Sequence, residues 1–305
     1  MASKILITGA TGFVGQAVVD ACLEQGLDWI GQTSGTETAK NFRADLSAPF
    51  DWNHRLRGID TIVHLAGMAH VPVNDEQAKQ KMRRVNVDAT AILANHAVNS
   101  GVRHFVFVSS VNSYLYERSL PGASYYGYSK KMAEEAILEE ATGSGMAVTI
   151  LRPCLMYGKG AKGNFSSMLR WLWRGVPLPL GSVRNRRSFM HVRNFADIIL
   201  HSISAREKAA GVFEVTDGID YSTPDLLLKV GMALGKPARL IPFPTSLLRL
   251  GATVAGKKDM LEKLAGDMAI DGSKLATVLN WQRKYADADG FKEMALDFTR
   301  KAFKN

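Results

Sequence analysis

The sequence contains little cysteine. Only Cys22 and Cys154 occur among its 305 residues, and they stand far apart in the chain. Two such cysteines supply neither a disulfide framework nor the paired ligand spacing of a zinc site. We therefore expect a protein of a reducing compartment, the cytoplasm, with no metal site.

Long apolar runs are missing as well. The stretch MASKILITGA reaches glycine after a few apolar residues, which is not the pattern of a signal peptide. The stretch SLLRLGATVAG is interrupted by Arg249 and is shorter than the roughly 20 residues that a spanning helix needs. The sequence thus predicts no membrane span.

Concentrated charge of one sign is also absent. Lys and Arg number 38 against 29 Asp and Glu, which gives a net charge of +9. The tightest basic cluster, Arg184, Arg186 and Arg187, is too short to form a polybasic arm. This pattern argues against a nucleic-acid partner, while the modest positive excess favours anionic ligands.

What the first half of the sequence does contain is an alternation of apolar runs and helical segments. Compact apolar runs that end in small or polar residues, as buried parallel strands do, occur at 4–9, 60–67, 104–110 and 147–153. Helical segments such as GQAVVDACLEQG and RRVNVDATAILANHAVNSG lie between them and end at glycine. This alternation predicts an α/β fold with a doubly wound parallel sheet.

The composition changes after residue 153, where glycine, proline and aromatic residues become frequent. A further apolar run at 211–218 has the pattern of a late strand of the same sheet. We therefore expect a dinucleotide-binding core over residues 1–158, which later strands at about 187–216 rejoin. The remaining residues, 159–305, are expected to form mainly a smaller substrate lobe.

A glycine-rich loop follows the first predicted strand. In TGATGFVG, three glycines occur at every third position directly before a helix. Such glycines allow a tight turn and a close approach to a pyrophosphate, and the helix N-terminus offers free N–H groups. The residues predicted to contact a dinucleotide here are Gly9, Thr11, Gly12, Phe13, Val14 and Gly15.

The end of the second strand lacks the carboxylate that would bind the ribose hydroxyls of NAD. Gln32, Thr33 and Ser34 occupy this region instead. Hydroxyl and amide side chains accommodate a 2′-phosphate better than a carboxylate does, so NADP(H) is slightly favoured over NAD(H), with Ser34 as a contact. Asp45, followed by Leu46, is a candidate partner for the adenine amino group; the alternative is an ordinary turn aspartate.

The stretch YYGYSK contains a candidate catalytic pair. Only Tyr126 stands four residues before Lys130, so the two share one face of a helix. Tyrosine keeps its proton to about pH 10 in water, and a nearby cation such as Lys130 or an oxidised nicotinamide is expected to lower its pKa. Ser110, at the end of a predicted strand, is the candidate hydroxyl that holds the substrate oxygen.

Taken in order, TGATGFVG, HLAG, NVDAT, VSS, YGYSK, RPCLMYG and RRSFMHV resemble the motifs of an extended short-chain dehydrogenase/reductase. The resemblance is to the nucleotide-sugar epimerase and dehydratase family and covers nearly the whole chain. It implies a Rossmann core, a bound NAD(H) or NADP(H), and a nucleoside-diphosphate sugar in the C-terminal lobe. It also implies a homodimer.

The resemblance assigns roles to further residues. It implies that Leu65, Ala66, Gly67 and Pro153 contact the cofactor, together with Tyr126 and Lys130, and that Asn86 supports the central strands. The residues implied in binding a UDP-sugar are Ser110, Asn164, Phe165 and Arg187. For Arg187 a surface salt bridge is the alternative, and His70 either lines the sugar pocket or faces solvent.

Residues beside the serine narrow the chemistry. Dehydratases of the family carry an Asp-Glu pair where this chain has Val111 and Asn112, so dehydration is disfavoured. The segment between Ser110 and Tyr126 is expected to be a short loop, with Tyr125 where proline is common. The leading expectation is reduction of a UDP-4-keto-6-deoxy-N-acetylhexosamine in bacterial polysaccharide biosynthesis.

Three alternatives stay open. The first is a UDP-hexose 4-epimerase, which needs the same three residues. The second is a non-catalytic dinucleotide-binding sensor, which is expected to lack the tyrosine or the lysine. The third is an oxidoreductase for a lipid or flavonoid-like ketone, against which the phosphate-compatible Arg187 and Asn164 argue.

Overall fold

The computed structural model describes residues 4–69, 71–256 and 258–303. The chain forms two compact units. The first unit extends to Pro153 and includes Phe195–Val215 and Ser273–Gln282. The second unit consists of Cys154–Asn194, Thr216–Gly272 and the chain from Arg283 onward. No helix among the described residues is long and apolar enough to cross a membrane.

The strands are short and number ten in the described part of the chain. They are β1 (Lys4–Thr8), β2 (Trp29–Thr33), β3 (Asn41–Arg43), β4 (Ile59–His64), β5 (His104–Val108), β6 (Ala147–Pro153), β7 (Leu155–Tyr157), β8 (Arg187–His191), β9 (Gly211–Val215) and β10 (Asp220–Tyr221). Seven of them form one sheet in the order β3-β2-β1-β4-β5-β6-β9, and every pairing within it is parallel. The predicted doubly wound α/β fold is thereby confirmed.

Twelve α-helices connect these strands in the described residues. They are α1 (Phe13–Glu24), α2 (Glu76–Arg83), α3 (Ala89–Asn99), α4 (Val111–Glu117), α5 (Tyr125–Ala141), α6 (Asn164–Trp173), α7 (Val192–Ala205), α8 (Thr223–Ala233), α9 (Thr245–Val254), α10 (Lys258–Ala265), α11 (Ser273–Leu279) and α12 (Asp287–Ala302). A π-helical turn, Arg84–Asp88, interrupts the helix that the sequence predicted across this region.

The core of the first unit explains why its strands read as continuous apolar runs. Every residue of β4 and β5 is buried, because helices cover both faces of a parallel sheet. Leu6, Ile62, Phe105 and Ile150 are fully buried at the centre. Burying a side chain of this size contributes about 1.5–3 kcal/mol. This packing fixes the carboxyl ends of the strands, where the candidate site lies.

Serine caps determine where two site helices begin. The Ser110 hydroxyl accepts a hydrogen bond from the Asn112 amide at the start of α4. The Ser124 hydroxyl accepts one from the Gly127 amide at the start of α5. A serine cap satisfies one of the N–H groups left open in the first turn of a helix. The segment expected to be a short loop therefore contains a helix, and that expectation is wrong.

The expected boundary between the units also needs correction. β8 was expected to rejoin the large sheet, but it pairs with β7 and β10 in a separate three-stranded sheet of the second unit. The free edge of β6 is instead taken by β9, with Pro153 opposite Val215. Because β7 pairs only with β8, the first unit ends at Pro153 rather than at residue 158.

Candidate active site

The glycine loop between β1 and α1 is too crowded for larger residues. Gly9 has φ +67°, and a Cβ there would lie 3.0 Å from the Ala66 backbone. A Cβ on Gly15 would lie 2.7 Å from the Ala10 carbonyl oxygen and would also clash with the Gly9 carbonyl. Gly12 provides the residue before α1 and contributes no capping side chain. The backbone is thus close-packed, and the first amides of α1 carry no side-chain cap.

Side chains at the end of β2 hold this loop in place. Gln32 is buried; its Oε1 accepts from the Gly9 amide at 3.0 Å and its Nε2 donates to the Ala44 carbonyl at 2.7 Å. The Thr11 and Thr33 hydroxyls are hydrogen-bonded at 2.8 Å. Gln32 therefore stabilises the loop and is not free to face a cofactor.

Ser34 and Arg43 are among the residues that face solvent here. Ser34 is exposed directly after β2, and Arg43 is exposed at the end of β3, where it is the register partner of Thr33. A hydroxyl beside a guanidinium suits a phosphate, because arginine makes charge-assisted hydrogen bonds. Arg43 was missed from the sequence; the signal was a basic residue at the end of a strand next to β2.

Asp45 forms a turn with Ser47. Its Oδ1 accepts from the Ser47 amide at 2.9 Å and from the Ser47 hydroxyl at 2.8 Å, and these bonds lower the pKa of Asp45. The Asp45 side chain is exposed, whereas Leu46 is buried. The contacts that Asp45 makes within the protein are thus those of a turn aspartate. A contact between Asp45 and adenine stays a prediction.

The loop after β4 is held by Asn86 from the π-helical turn. The Asn86 Oδ1 accepts from the Met68 amide at 2.6 Å, and its Nδ2 donates to the Met68 carbonyl and the Ser129 hydroxyl, each at 3.0 Å. Asn86 was expected to support the central strands. In the structure it stabilises the loop directly after β4, which carries Leu65, Ala66 and Gly67.

A buried hydrogen-bond chain joins this turn to β1. The Thr8 hydroxyl accepts from the Leu65 and Ala66 amides, so its proton is left for His64 Nδ1 at 2.7 Å. The single ring proton of His64 then lies on Nε2, which donates to the Thr90 hydroxyl at 2.9 Å. Burial lowers the pKa of His64 to about 3, so the ring is neutral. None of these contacts was predicted.

Of the three candidate catalytic residues, Ser110 lies between β5 and α4, and Tyr126 and Lys130 lie on α5. Tyr126 is half-buried and its phenol is hydrogen-bonded to Ser110. The Ser110 hydroxyl accepts from the amide and the side-chain Nδ2 of Asn112, at 3.2 and 3.0 Å, which leaves its proton for Tyr126. The phenol proton of Tyr126 is then available to a substrate oxygen.

Lys130 is buried behind this pair. Its Nζ donates to the Val108 carbonyl at 2.9 Å and lies 4.6 Å from the centre of the Phe107 ring. Burial lowers the pKa of Lys130 to about 8, and the charge of Glu134 opposes that shift. The ammonium group is therefore held near the end of β5, where charge on it is costly and depends on its neighbours.

The pKa of Tyr126 differs from the sequence expectation. Burial raises it to about 12, and only the Ser110 hydrogen bond opposes this rise. Lys130 does not lower the pKa of Tyr126 below its ordinary value in the protein alone, because desolvation of the phenolate is the larger effect. Tyr126 is a proton donor at neutral pH, and it needs further positive charge to act as a base.

The other residues of YYGYSK serve packing. Tyr128 contacts the rings of Tyr116 and Tyr125, with centroids 5.3 Å apart in each case. A Cβ on Gly127 would lie 2.9 Å from the Asn112 carbonyl carbon. Gly127 thus permits the close approach of α5 to α4 that brings Tyr126 to Ser110.

A buried ion pair lies one helical turn beyond Lys130. Glu134 is 1% exposed and Arg152 is 4% exposed. The Arg152 Nε donates to Glu134 Oε1 at 3.0 Å, and its Nη1 donates to Glu117 at 2.8 Å. The sequence signal was an arginine inside an apolar strand, since a buried charge requires a partner.

The predicted substrate residues lie in the second unit. Asn164 is exposed at the first position of α6, whereas Phe165 is buried and packs near Tyr157 and Phe189. Arg187 is also buried, and its Nη1 donates to the Gly266 carbonyl at 2.8 Å. Burial lowers the pKa of Arg187, an effect that Asp267 opposes.

The surface salt bridge considered for Arg187 is made instead by its neighbour. Arg186 is exposed and its Nε donates to Asp220 at 2.6 Å. The bond to Gly266 uses one of the five N–H donors of the Arg187 guanidinium. Pro153 is buried at the end of β6 in the first unit, and His70 lies outside the described residues.

Comparison with known proteins gives one matching family model. The model of the NAD dependent epimerase/dehydratase family matches residues 5–215. A UDP-glucose 4-epimerase of Vibrio cholerae is 34% identical over 98% of this chain and 96% of the relative. An N-acetyl-α-D-glucosaminyl-diphospho-ditrans,octacis-undecaprenol 4-epimerase of Escherichia coli O157:H7 is 26% identical over 81% of this chain and 78% of the relative.

Solved structures share the fold. A UDP-glucuronic acid 4-epimerase of Bacillus cereus in complex with NAD superposes with a TM-score of 0.79 at 17% identity, covering 99% of this chain and 98% of that one. At this level of identity the match supports the fold, and it agrees with the strand order described above.

Proposed function

This chain belongs to the NAD dependent epimerase/dehydratase family, and we propose that it epimerises a UDP-hexose at position 4. The observation that carries the proposal is the site itself: Tyr126, hydrogen-bonded to Ser110, with Lys130 behind it. Val111 and Asn112 follow the serine, and neither can transfer protons to remove water. The full-length similarity to a UDP-glucose 4-epimerase supports the same reaction.

The residues of the glycine loop fit a dinucleotide. The close approach at Gly9 and Gly15, and the uncapped start of α1 after Gly12, suit a pyrophosphate. We propose that Leu65, Ala66 and Pro153 line the rest of the cofactor. When bound, the nicotinamide supplies a hydride acceptor and donor and, when oxidised, a positive charge.

In this mechanism Tyr126 handles the proton of the sugar hydroxyl. Ser110 would hold the oxygen at C4, and ionised Tyr126 would take the proton of that hydroxyl and later return it to the same oxygen. Between these two proton transfers the sugar would be a C4 ketone, and its rotation in the site would invert the configuration at C4. Lys130 stabilises the ionised phenol by its positive charge.

The first unit carries one observation in favour of a second candidate, net reduction of a UDP-4-keto-6-deoxy-N-acetylhexosamine. Ser34 and Arg43 suit the 2′-phosphate of NADP(H), and a net reductase consumes its cofactor. The reductase was the leading expectation from the sequence; the curated relatives favour the epimerase.

For the UDP-sugar, we propose contacts from the second unit. Arg187 is the candidate phosphate contact because a planar guanidinium donates two hydrogen bonds to phosphate well, and its bond to Gly266 occupies one of its N–H donors. Asn164 is exposed at the start of α6, but the buried ring of Phe165 restricts that residue to backbone contacts. From the resemblance we also propose a homodimer and a role in bacterial surface polysaccharide synthesis.

The test compares two substrates. Purified protein is incubated with UDP-glucose or UDP-N-acetylglucosamine, and separately with UDP-4-keto-hexosamine, each with and without NADPH. Interconversion of UDP-hexoses with no net change in nicotinamide absorbance supports epimerisation. Stoichiometric loss of NADPH absorbance with the keto sugar alone would contradict it and favour the reductase.

A further inference from the structure

Glu134, which forms a buried ion pair with Arg152, lies one helical turn beyond the proposed catalytic residue Lys130. The Glu134 carboxylate accepts from the Ser113 hydroxyl at 2.7 Å and from the Ser109 hydroxyl. Ser109 immediately precedes Ser110, and the Ser110 carbonyl lies 2.8 Å from the same Ser113 hydroxyl, whose single proton it shares with Glu134. One buried carboxylate thereby binds both sides of the turn that presents Ser110.

The same carboxylate lies on the helix that carries the other two catalytic residues. Glu134 follows Lys130 by four residues on α5, so both side chains lie on one face. Lys130 is 5% exposed and Glu134 is 1% exposed. A buried ammonium gains from a buried opposite charge nearby, because little water screens the pair.

Arg152 fixes Glu134 in turn. It donates to Glu134 through both Nε and Nη2, and its Nη1 also bonds Glu117 and Glu214, at 2.8 and 3.3 Å. This two-pronged contact leaves the Glu134 carboxylate a single orientation. Both side chains are more buried than those of an ordinary surface ion pair.

We propose that Glu134, clamped by Arg152, is a positioning residue that fixes the Ser110 turn and holds Lys130 in its charged form. It touches neither substrate nor cofactor and acts through Ser109, Ser113 and Lys130. The catalytic role of Lys130 in this inference rests on the proposed function. The effect of Glu134 on the charge of Lys130 does not depend on that function.

Other charged and titratable groups face Lys130 less directly. Tyr126 precedes it on α5, and His64 on β4 is neutral, because burial and, to a smaller extent, the charge on Lys130 lower its pKa. Arg152 on β6 forms an ion pair with Glu134, and Glu117 on α4 forms ion pairs with Arg152 and Lys131. Both therefore act on Lys130 through these neighbours. Loss of the Glu134 charge would therefore leave Lys130 near an Arg152 cation that keeps Glu117 and Glu214 as partners but has lost its most buried one.

The sign of the effect follows from these charges. Burial lowers the pKa of Lys130 to about 8 and Glu134 raises it, so Glu134→Gln should lower it further, by about one unit. If turnover needs the ammonium form, the fall in kcat at alkaline pH should move to lower pH by the same amount. We also expect about a tenfold to hundredfold loss of kcat with a smaller change in KM.

The experiment measures the Lys130 titration directly. Protein labelled with ¹³C at the lysine ε-carbon is titrated by NMR, and Lys130 is assigned by its absence in Lys130→Arg. Glu134→Gln should show the shifted titration, and Glu135→Gln, whose exposed carboxylate lies 3.6 Å from Lys131, should not. An unchanged Lys130 titration in Glu134→Gln would overturn the proposal, whether or not UDP-hexoses are substrates.

A double variant separates positioning from folding. Glu134→Gln removes the buried partner of Arg152, which then retains Glu117 and Glu214, and can unfold the protein, whereas Glu134→Gln with Arg152→Gln replaces the buried pair by two neutral amides. We expect the double variant to regain thermal stability yet to keep the low kcat. Recovery of wild-type kcat and pH profile in the double variant would show a purely structural pair and would refute the proposal.

Discussion

The catalytic end and the adenosine end of the proposed cofactor site are built in opposite ways. Ser110, Lys130 and Asn86 are buried and each has hydrogen-bond partners among backbone or side-chain groups. Ser34 and Arg43, at the other end, are exposed. The difference indicates that packing fixes the catalytic residues. For cofactor preference we propose a dependence on Ser34 and Arg43, surface residues that can change without disturbing the fold.

The strongest test of this contrast is Tyr126→Phe. The phenol is the group proposed to transfer the proton, so its removal should lower kcat about a hundredfold to ten-thousandfold. Cofactor affinity should change little. Tyr128→Phe is the matched control, because Tyr128 packs against other tyrosines. Substantial turnover in Tyr126→Phe would refute the assignment.

Gly15→Ala tests whether the glycine loop tolerates any added atom. The new Cβ would meet the Ala10 carbonyl at 2.7 Å, and backbone cannot move as a side chain does. We expect a loss of about 1–3 kcal/mol in unfolding free energy and much weaker dinucleotide binding. Gly251→Ala, in open space on α9, should leave both unchanged or slightly improved. Equal behaviour of the two variants would contradict the crowded-loop interpretation.

Arg187→Ala tests the substrate side. Loss of one charge-assisted hydrogen bond to a phosphate costs about 1.5–3 kcal/mol, so UDP affinity should fall about tenfold to a hundredfold, and further if both proposed bonds are lost. Dinucleotide affinity should hold. Arg186→Ala is the control, since that arginine is exposed and pairs with Asp220. Calorimetric titration with UDP measures the effect, and equal losses for UDP and dinucleotide would argue against a phosphate contact.

The smallest effect is expected at the adenosine end. Ser34→Asp places a carboxylate where NAD-binding proteins carry one, which should reduce NADP(H) affinity about tenfold relative to NAD(H). Thermal stability should be unchanged because Ser34 is exposed. Ser34→Ala removes the hydroxyl without adding charge and serves as control. If Ser34→Asp leaves the ratio of the two affinities unchanged, Ser34 does not face the 2′-position.

Local sequence patterns predicted the features that depend on neighbours in the chain. Apolar runs located β1, β4, β5 and β6 to within three residues at each end, since each strand is buried on both faces. The four-residue spacing selected Tyr126 among three tyrosines, and the structure joins it to Ser110.

Features that depend on distant partners were not predictable in this way. β8 reads like a strand of the large sheet, but its partners are β7 and β10. Gln32 lies in the region where a cofactor contact was expected, but its side chain binds the backbone of Gly9 and Ala44 instead. The direction of the Tyr126 pKa shift depends on burial, which spacing along the chain does not reveal.

The most direct measurement follows the hydrogen at C4 of the substrate. UDP-glucose and UDP-N-acetylglucosamine carrying deuterium at C4 are incubated with the purified protein, and the epimerised products are analysed by NMR and mass spectrometry. Epimerisation by hydride removal and return predicts that the deuterium stays at C4 of the product, with none lost to solvent. Products with hydrogen at C4, or no epimer at all, would contradict the account.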